Sequence, residues 1–452
     1  MAKKKKKKTN ETISMPVLNS NAAGIDLGSR SHFVCVSQDN VKEFRSHTDG
    51  LHEIAQHLTS HNVKTVALES TGFYWQQLFA LLQDYDFEVI LVNARHVKNV
   101  KGHKTDVVDS KWLQLLHSIG LLSNSFQPDN FTKELQIYTR MRKSLIEESS
   151  RYTNKMYKSL VLMNIHLKTV LADMTGQSGI KVIEAILDGE KDECNLEKLV
   201  GRNVKASRDE IVKALKGNFK DEYLFELSVN YNSYKLVWEQ IKETDNQIEI
   251  LLVKWRNEKG NTELRKKHKK NKRVPRQKND PKFDIETVAY EMSNGVDLTK
   301  IEGVKLSTVL VMMSETGFDI ADDFKSAKHF ASWLGYAPNR KITGGKVMSS
   351  HTPKVKNPLS VAIRMAANAA GNSQSRLGDF FRRISYRKGR VVAITATARK
   401  IAVIIYNMLK NKTEYSYQYE KDEEQRMRKI QIKQIKKKIL KFNIEKKELE
   451  LA

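Results

Sequence analysis

The chain has 452 residues, room for about two or three domains, and carries 78 Lys and Arg against 53 Asp and Glu, a net charge of +25. A pI near 9.7 points to a polyanionic partner, nucleic acid first and an acidic membrane surface second. Two cysteines without a CxxC exclude a disulfide scaffold and a cysteine-rich zinc site, and fit a reducing cytosol.

The opening "MAKKKKKKTN" is basic but is followed by no apolar segment, so residues 1–20 read as a disordered basic tail and not as a secretory signal. Residues 22–125 read as an α/β domain. Strand-like runs "AAGIDLG" and "HFVCVS" lead through "VKEFRSH" to a helix around "LHEIAQHL". A strand "TVALES", a helix "YWQQLFALLQDY" and a strand "EVILVN" follow, and then a helix whose apolar face is Trp112, Leu113, Leu115 and Leu116. Residues 133–255 read as a long-helix arm. Leu135, Tyr138, Met141, Leu145 and Met156 begin one seam, and Leu227, Tyr231, Tyr234, Ile241 and Ile248 form another, across an intervening polar stretch. The two helices are either an antiparallel hairpin or a dimerising arm. Residues 256–282 are a basic linker, with nine Lys or Arg between Arg265 and Lys278. Residues 283–411 read as a compact, mostly helical domain, and 413–452 as a basic helical tail. No apolar run approaches the roughly 20 residues that span a bilayer; the best candidate, "VVAITATARKIAVIIYNML", is broken by Arg399 and Lys400.

Four acidic residues stand out. Asp26 lies inside the apolar strand "GIDLG", where a carboxylate is costly unless it serves a site. Glu69 ends the strand "TVALES", and strand ends of α/β sheets are where ligands collect. Asp106 and Asp109, in "HKTDVVDS", fall three apart on a helix and so share a face. Like charges there repel unless a cation lies between them. Carboxylates from strand 1, a later strand and a helix match a phosphoryl-transfer site with two hard cations bound through oxygen.

The segments "GIDLGSRSHFVCV", "ALESTGFY", "VILVNARHVKNVKGHKTDVVDSKWLQLLHSIGLL" and "IEESSRYTNKMYKSL" resemble the DEDD transposases of the bacterial insertion-sequence one-hundred-and-ten family. The resemblance continues in "KHFASWLGYAPNRKITGGKVMSSHTPKVKN" and "VVAITATARKIAVIIYNML", over roughly residues 22–200 and 284–411. It implies a RuvC-like, RNase H-type N-terminal domain whose acidic quartet is Asp26, Glu69, Asp106 and Asp109, binding two Mg²⁺ ions. It implies an arm through which dimers and tetramers assemble, and a C-terminal transposase domain whose serine attacks DNA to form a covalent link. The implied partners are the DNA of the element ends and target, and a structured noncoding RNA that guides recombination. A cytoplasmic, nucleoid-associated protein is expected, with no membrane partner.

The chain departs from the family where it matters most. "KITGGK" places Thr343 where the nucleophilic serine is expected, leaving Thr343, Ser349 and Ser350 as candidates. Lys346, Lys354 and Lys356, beside two glycines, and Arg364 on the following helix are candidate nucleic-acid contacts. "IEGVKLSTVLVMM" stands where a helix-hairpin-helix would bind phosphate, but with one glycine, Gly303, and Lys305 at the second position. Alternatives to a recombinase are a Holliday-junction-type endonuclease, in which water attacks, and a decayed transposase that only binds nucleic acid.

Overall fold

The computed structural model describes residues 16–70, 72–93, 105–268 and 278–415, with 425, 428–429, 431–437 and 439–440 of the tail. The expected N-terminal tail up to residue 15, residues 269–277 of the basic run and most of the C-terminal tail lie outside the described residues. The chain divides into two compact units, residues 1–127 and 128–452.

The first unit is built on a five-stranded sheet. Its strands are β1 (Ala22–Leu27), β2 (Ser31–Ser37), β3 (Asn40–Arg45), β4 (Thr65–Glu69) and β5 (Glu88–Val92), in the order β3-β2-β1-β4-β5. β1, β2 and β3 run antiparallel as a meander, and β4 and β5 run parallel to β1. This is the RNase H-type arrangement. Helices α1 (Thr48–Ser60) and α2 (Trp75–Asp84) cover one face, where Ile25, Leu27, Val34, Phe44, Ile54, Leu58, Leu78 and Leu82 form the core. Helix α3 (Asp106–Ser118) covers the other, packing Leu113 against Ala67 and Val92. β1 is therefore apolar on both sides, and its one acid, Asp26, stands out for that reason.

The second unit opens with α4 (Asn130–Leu162), capped by Asp129, whose side chain accepts from the Thr132 amide at 2.6 Å. α4 pairs antiparallel with a longer helix over Asp221–Lys259: Phe131 meets Trp255, Arg142 pairs with Asp245, and Lys158 pairs with Glu226. The hairpin alternative thus describes these helices within one chain. The seam differs from its sequence reading in the middle. Met141 is exposed, and the buried position is Arg142, neutralised by Asp245, with Thr139 and Ser149 beside it. The connection expected to be polar is a small helical subdomain including α5 (Gln177–Leu187), with Val182, Ile183, Leu196, Ile211 and Leu215 packed on Met156, Leu160 and Leu227. Its apolar residues are scattered over several short helices, so no single period reveals them.

With α6 denoting Asp221–Lys259, the remaining helices are α7 (Ile285–Met292), α8 (Leu306–Glu315), α9 (Ala327–Trp333), α10 (Pro358–Ala370), α11 (Arg376–Lys388) and α12 (Arg390–Asn411). A hairpin of β6 (Lys341–Thr343) and β7 (Lys346–Ser349) interrupts them. Among the described residues α12 is the one helix long and apolar enough to cross a membrane, a length the sequence reading did not credit. Its apolar character has another use. Ala393, Ala398, Ile401, Ala402, Ile405 and Leu409 are buried, and the helix packs against α9, α10 and α11 as the centre of this region.

Candidate active site

Gly24 sets the geometry of the acidic quartet. A side chain there would place its Cβ 2.3 Å from the Gln114 amide nitrogen and 2.8 Å from the Ser110 carbonyl oxygen, so α3 lies directly on β1. The contact runs in a fixed sense. Gln114 donates from Nε2 to the Ala22 carbonyl at 3.2 Å, and Ser110 lies over Gly24. Moving along β1 from Ala22 to Asp26 therefore means moving along α3 toward its N-terminus, where Asp106 and Asp109 sit in the first turn. Alternation along the strand puts Asp26 on the same face as Gly24. Two further contacts fix the helix: Gln38 donates to the Gln114 side chain at 2.7 Å, and His117 hydrogen-bonds the Thr65 hydroxyl at 2.9 Å. Burial holds the His117 imidazole below its ordinary pKa, so it packs as the neutral ring.

The electrostatics report the convergence. Asp26 is pushed up from 3.8 to about 6, first by burial and then by Asp106, Asp109 and Glu69; a bond from the Leu27 backbone opposes the shift. Asp106 is exposed and Asp109 and Glu69 are half-buried, so the four carboxylates border solvent at one end of the sheet. Thr105 caps α3, accepting from the Val108 amide at 3.3 Å, and the positive end of the helix favours both aspartates. Among the described residues no three of His, Cys, Asp and Glu stand close enough to ligate one ion as placed. Asp26 lies within electrostatic reach of the other three acids, but no three of the four stand in coordination contact. An all-carboxylate donor set fits a hard divalent cation and not a soft one. The histidines were expected to show no HxxxH spacing, yet His57 and His61 have it. Their rings are 4.3 Å apart, and His61 Nδ1 bonds the His57 carbonyl at 2.9 Å.

Thr343 lies in the second unit, at the closed end of the β6–β7 hairpin, paired with Lys346. The two-residue loop is Gly344 and Gly345, at φ +54° and +75°, the conformation that a tight hairpin turn demands. Thr343 and Lys346 are exposed, as are Lys354 and Lys356. Ser350 is exposed, while Ser349 is half-buried, its Oγ accepting from the His351 amide at 3.5 Å. Arg364 is half-buried on α10, its guanidinium 5.5 Å from the Tyr336 ring, and its buried Nε has no hydrogen-bond partner. Tyr336 is locked by a bond from its hydroxyl to the Ser360 carbonyl at 2.7 Å.

Two other candidate DNA contacts have structural employment. Gly303 is at φ +85°, and a Cβ there would meet the Ala366 carbonyl oxygen at 2.1 Å, so this glycine seats its turn on α10. At the two ends of the basic run, Arg265 pairs with the buried Glu291 at 2.9 Å, and Lys278 pairs with Asp173 at 2.8 Å. Sequence reading missed both pairings because the acids lie far away along the chain.

Comparison with known proteins finds two transposase family matches. Residues 23–165 match a transposase family model of the DEDD IS110 type, and residues 297–382 match the transposase IS116/IS110/IS902 family. The chain belongs to the IS110 family of DEDD transposases. The first match contains all four acids of the quartet, and the second contains Thr343, the three lysines and Arg364. The chain is also 29% identical over 120 residues to the "Insertion element IS110 uncharacterized 43.6 kDa protein" of Streptomyces coelicolor. That alignment covers 26% of this chain and 29% of that relative's length.

Proposed function

We propose that this member of the IS110 family cuts and exchanges DNA strands to move its own insertion sequence. The observation that carries the reading is the acidic end of the sheet, where Asp106, Asp109 and Glu69 help to push Asp26 to about 6. Four carboxylates facing solvent repel a DNA phosphate unless cations intervene. Asp26, Glu69, Asp106 and Asp109 are the residues that would hold divalent cations. Mg²⁺ is the natural choice, and two ions would polarise the scissile phosphate and steady the charge on the attacking and leaving oxygens.

The nucleophile in this reading is the Thr343 hydroxyl. Its Oγ1 forms a bond to phosphorus as the bond from phosphorus to the departing deoxyribose oxygen breaks. The hydroxyl proton is lost to solvent, and the departing oxygen leaves, protonated, as a free hydroxyl. Reversal of this step on another strand regenerates threonine. A secondary alcohol crowds the in-line approach, and its χ1 is restricted. Tenfold in rate per 1.36 kcal/mol or so of barrier makes this a slow enzyme and not a dead one. Lys346, Lys354, Lys356 and Arg364 would hold the nucleic-acid backbone. The family resemblance supports a structured noncoding RNA as guide, and assembly as a homodimer or homotetramer. The division of labour proposed is catalysis by residues 22–125, assembly by 133–255 and DNA attack by 283–411.

Strand exchange on DNA carrying the element's ends, in Mg²⁺, tests the reading. Asp106→Asn removes one carboxylate and should reduce exchange at least about a thousandfold, since each lost metal contact costs several kcal/mol of transition-state stabilisation. Exchange at a near wild-type rate by that variant would sink the proposal. Cleavage that yields free ends and no covalent protein–DNA link would favour the endonuclease reading.

A further inference from the structure

The turn between α11 and α12 is exposed throughout. All seven residues of "YRKGRVV", Tyr386–Val392, face solvent. Tyr386 is 94% exposed, more than any other large apolar or aromatic side chain among the described residues, and Val391 follows at 79%. Folding supplies no reason for a tyrosine there, since burying its ring elsewhere would stabilise the chain. The charge around it is of one sign. No acidic residue occurs between Asp379 and Glu414.

The neighbouring cations divide into those with employment and those without. Arg382 pairs with Asp379 at 2.6 Å and donates to the Ser373 carbonyl at 2.8 Å. Arg390 donates to Asn368 at 2.8 Å, which fixes the turn against α10. Arg387 and Lys388 have no hydrogen-bond or ion-pair partner among the described residues. Cations in the last turn of α11 suit the negative end of that helix. That accounts for Arg387 and Lys388 alone, and not for Tyr386 between them and Arg383.

We propose that this turn is a stacking platform for an unpaired DNA base. The Tyr386 ring takes the base face, and Arg387 and Lys388 neutralise the flanking phosphates. An aromatic ring with cations along a backbone is the recognition chemistry of single strands. The faces of paired bases within a duplex are already stacked and offer the ring nothing. Strand exchange frees bases, so the proposal rests on the strand-exchange reading and names a contact of it that neither the quartet nor Thr343 supplies.

The test uses the full chain in EDTA, so that binding is read without cleavage. The probes are a single-stranded DNA carrying 2-aminopurine, the same sequence as a duplex, and the same sequence as RNA. Tyr386→Ala should weaken single-strand binding about tenfold or more, abolish the quenching of 2-aminopurine and leave duplex affinity within about twofold. Tyr386→Trp should restore the quenching. Arg387→Gln and Lys388→Gln should each reduce the salt slope for the single strand by about 0.7 while quenching at saturation persists. Unchanged single-strand binding by Tyr386→Ala, or equal losses on single strand and duplex, would overturn the proposal. A loss confined to RNA would assign the turn to RNA and overturn it as well. The strand-exchange reading is scored separately, on the unsubstituted chain in Mg²⁺. Exchange there with normal binding by Tyr386→Ala removes only the platform. Absence of exchange with a single-strand defect in Tyr386→Ala removes only the strand-exchange reading.

Discussion

Asp26 is held by a strand covered on both faces, whereas Thr343 closes a two-stranded hairpin in which every residue from Lys341 to Met348 is exposed. The carboxylate's position is set by a close backbone approach at Gly24 and by the Gln38–Gln114–Ala22 bonds, which leave α3 one register on the sheet. The hydroxyl's position is set by a Gly-Gly turn and one pair of short strands, and an isolated hairpin of that kind is marginally stable in water. The apolar pair Ile342 and Val347, on the hairpin face opposite Thr343, is exposed in the single chain. As the proposed cation ligands, the four acids would need fixed spacings, which a packed sheet supplies. Thr343, the proposed nucleophile, would act from an exposed hairpin and not from the packed sheet.

That contrast can be broken most forcefully at Gly24. Gly24→Ala drives a methyl to 2.3 Å from the Gln114 nitrogen, which cannot yield without shifting α3. The strain, about 1–3 kcal/mol, should lower the thermal midpoint by several degrees and displace Asp106 and Asp109. Calorimetry and strand exchange should fall together. Thr343→Ala at the exposed hairpin should leave the midpoint within about 1 °C, because surface substitutions change stability by about 0.5 kcal/mol or less. Similar melting shifts for the two variants would show that the scaffolds do not differ as described.

A smaller effect sharpens the acidic side. Asp26 is raised from 3.8 to about 6 in the folded chain, so between those values the folded state binds its proton more tightly than the unfolded chain does. The resulting stabilisation is fully present below about pH 3.8 and is lost as pH rises through 6. In EDTA, the midpoint of the natural chain should therefore fall relative to that of Asp26→Asn as pH is raised from 4 to 7. Added Mg²⁺ should reverse the loss at pH 7 in the natural chain and do less for Asp26→Asn. Parallel pH profiles for the two proteins would contradict the clustering of the four acids.

The smallest expected effect concerns which cations are free to meet nucleic acid. Lys346→Gln and Lys356→Gln should each reduce the salt slope of duplex binding by about 0.9. Arg265→Gln and Lys278→Gln should leave it unchanged, because their partners are Glu291 and Asp173. Filter binding across a salt series distinguishes the two sets, and a reduced slope for Arg265→Gln would place the start of the basic run on the nucleic acid.

Much of the first unit was legible because alternation and turns are local. The succession of strands and helices follows from short apolar runs and helical periods, and Asp26 was conspicuous as the one acid in an apolar strand. What was not legible came from contacts between distant residues. On α3 the face against the sheet is not only Leu113 but Ser110, Gln114 and His117, polar residues whose partners are Gly24, Ala22 and Thr65. A glycine inside a strand was the available signal of that close approach. On the arm, an apolar seam drawn through Met141 missed Arg142, because an arginine is buried only when an acid such as Asp245 lies opposite. The role of Gly303 in seating its turn against Ala366 was likewise invisible to a motif read along the chain.

The most direct test of the central claim is the covalent adduct. The natural chain, Thr343→Ser and Thr343→Ala are each incubated with element-end DNA and Mg²⁺, separated on denaturing gels, and the DNA-linked peptide is mapped. An adduct on Thr343 is expected in the natural chain, with formation at least as fast in Thr343→Ser, no adduct in Thr343→Ala, and none in any of the three when EDTA replaces Mg²⁺. An adduct that persists in Thr343→Ala and maps to Ser349 or Ser350, or the absence of any adduct from both the natural chain and Thr343→Ser, would contradict that claim.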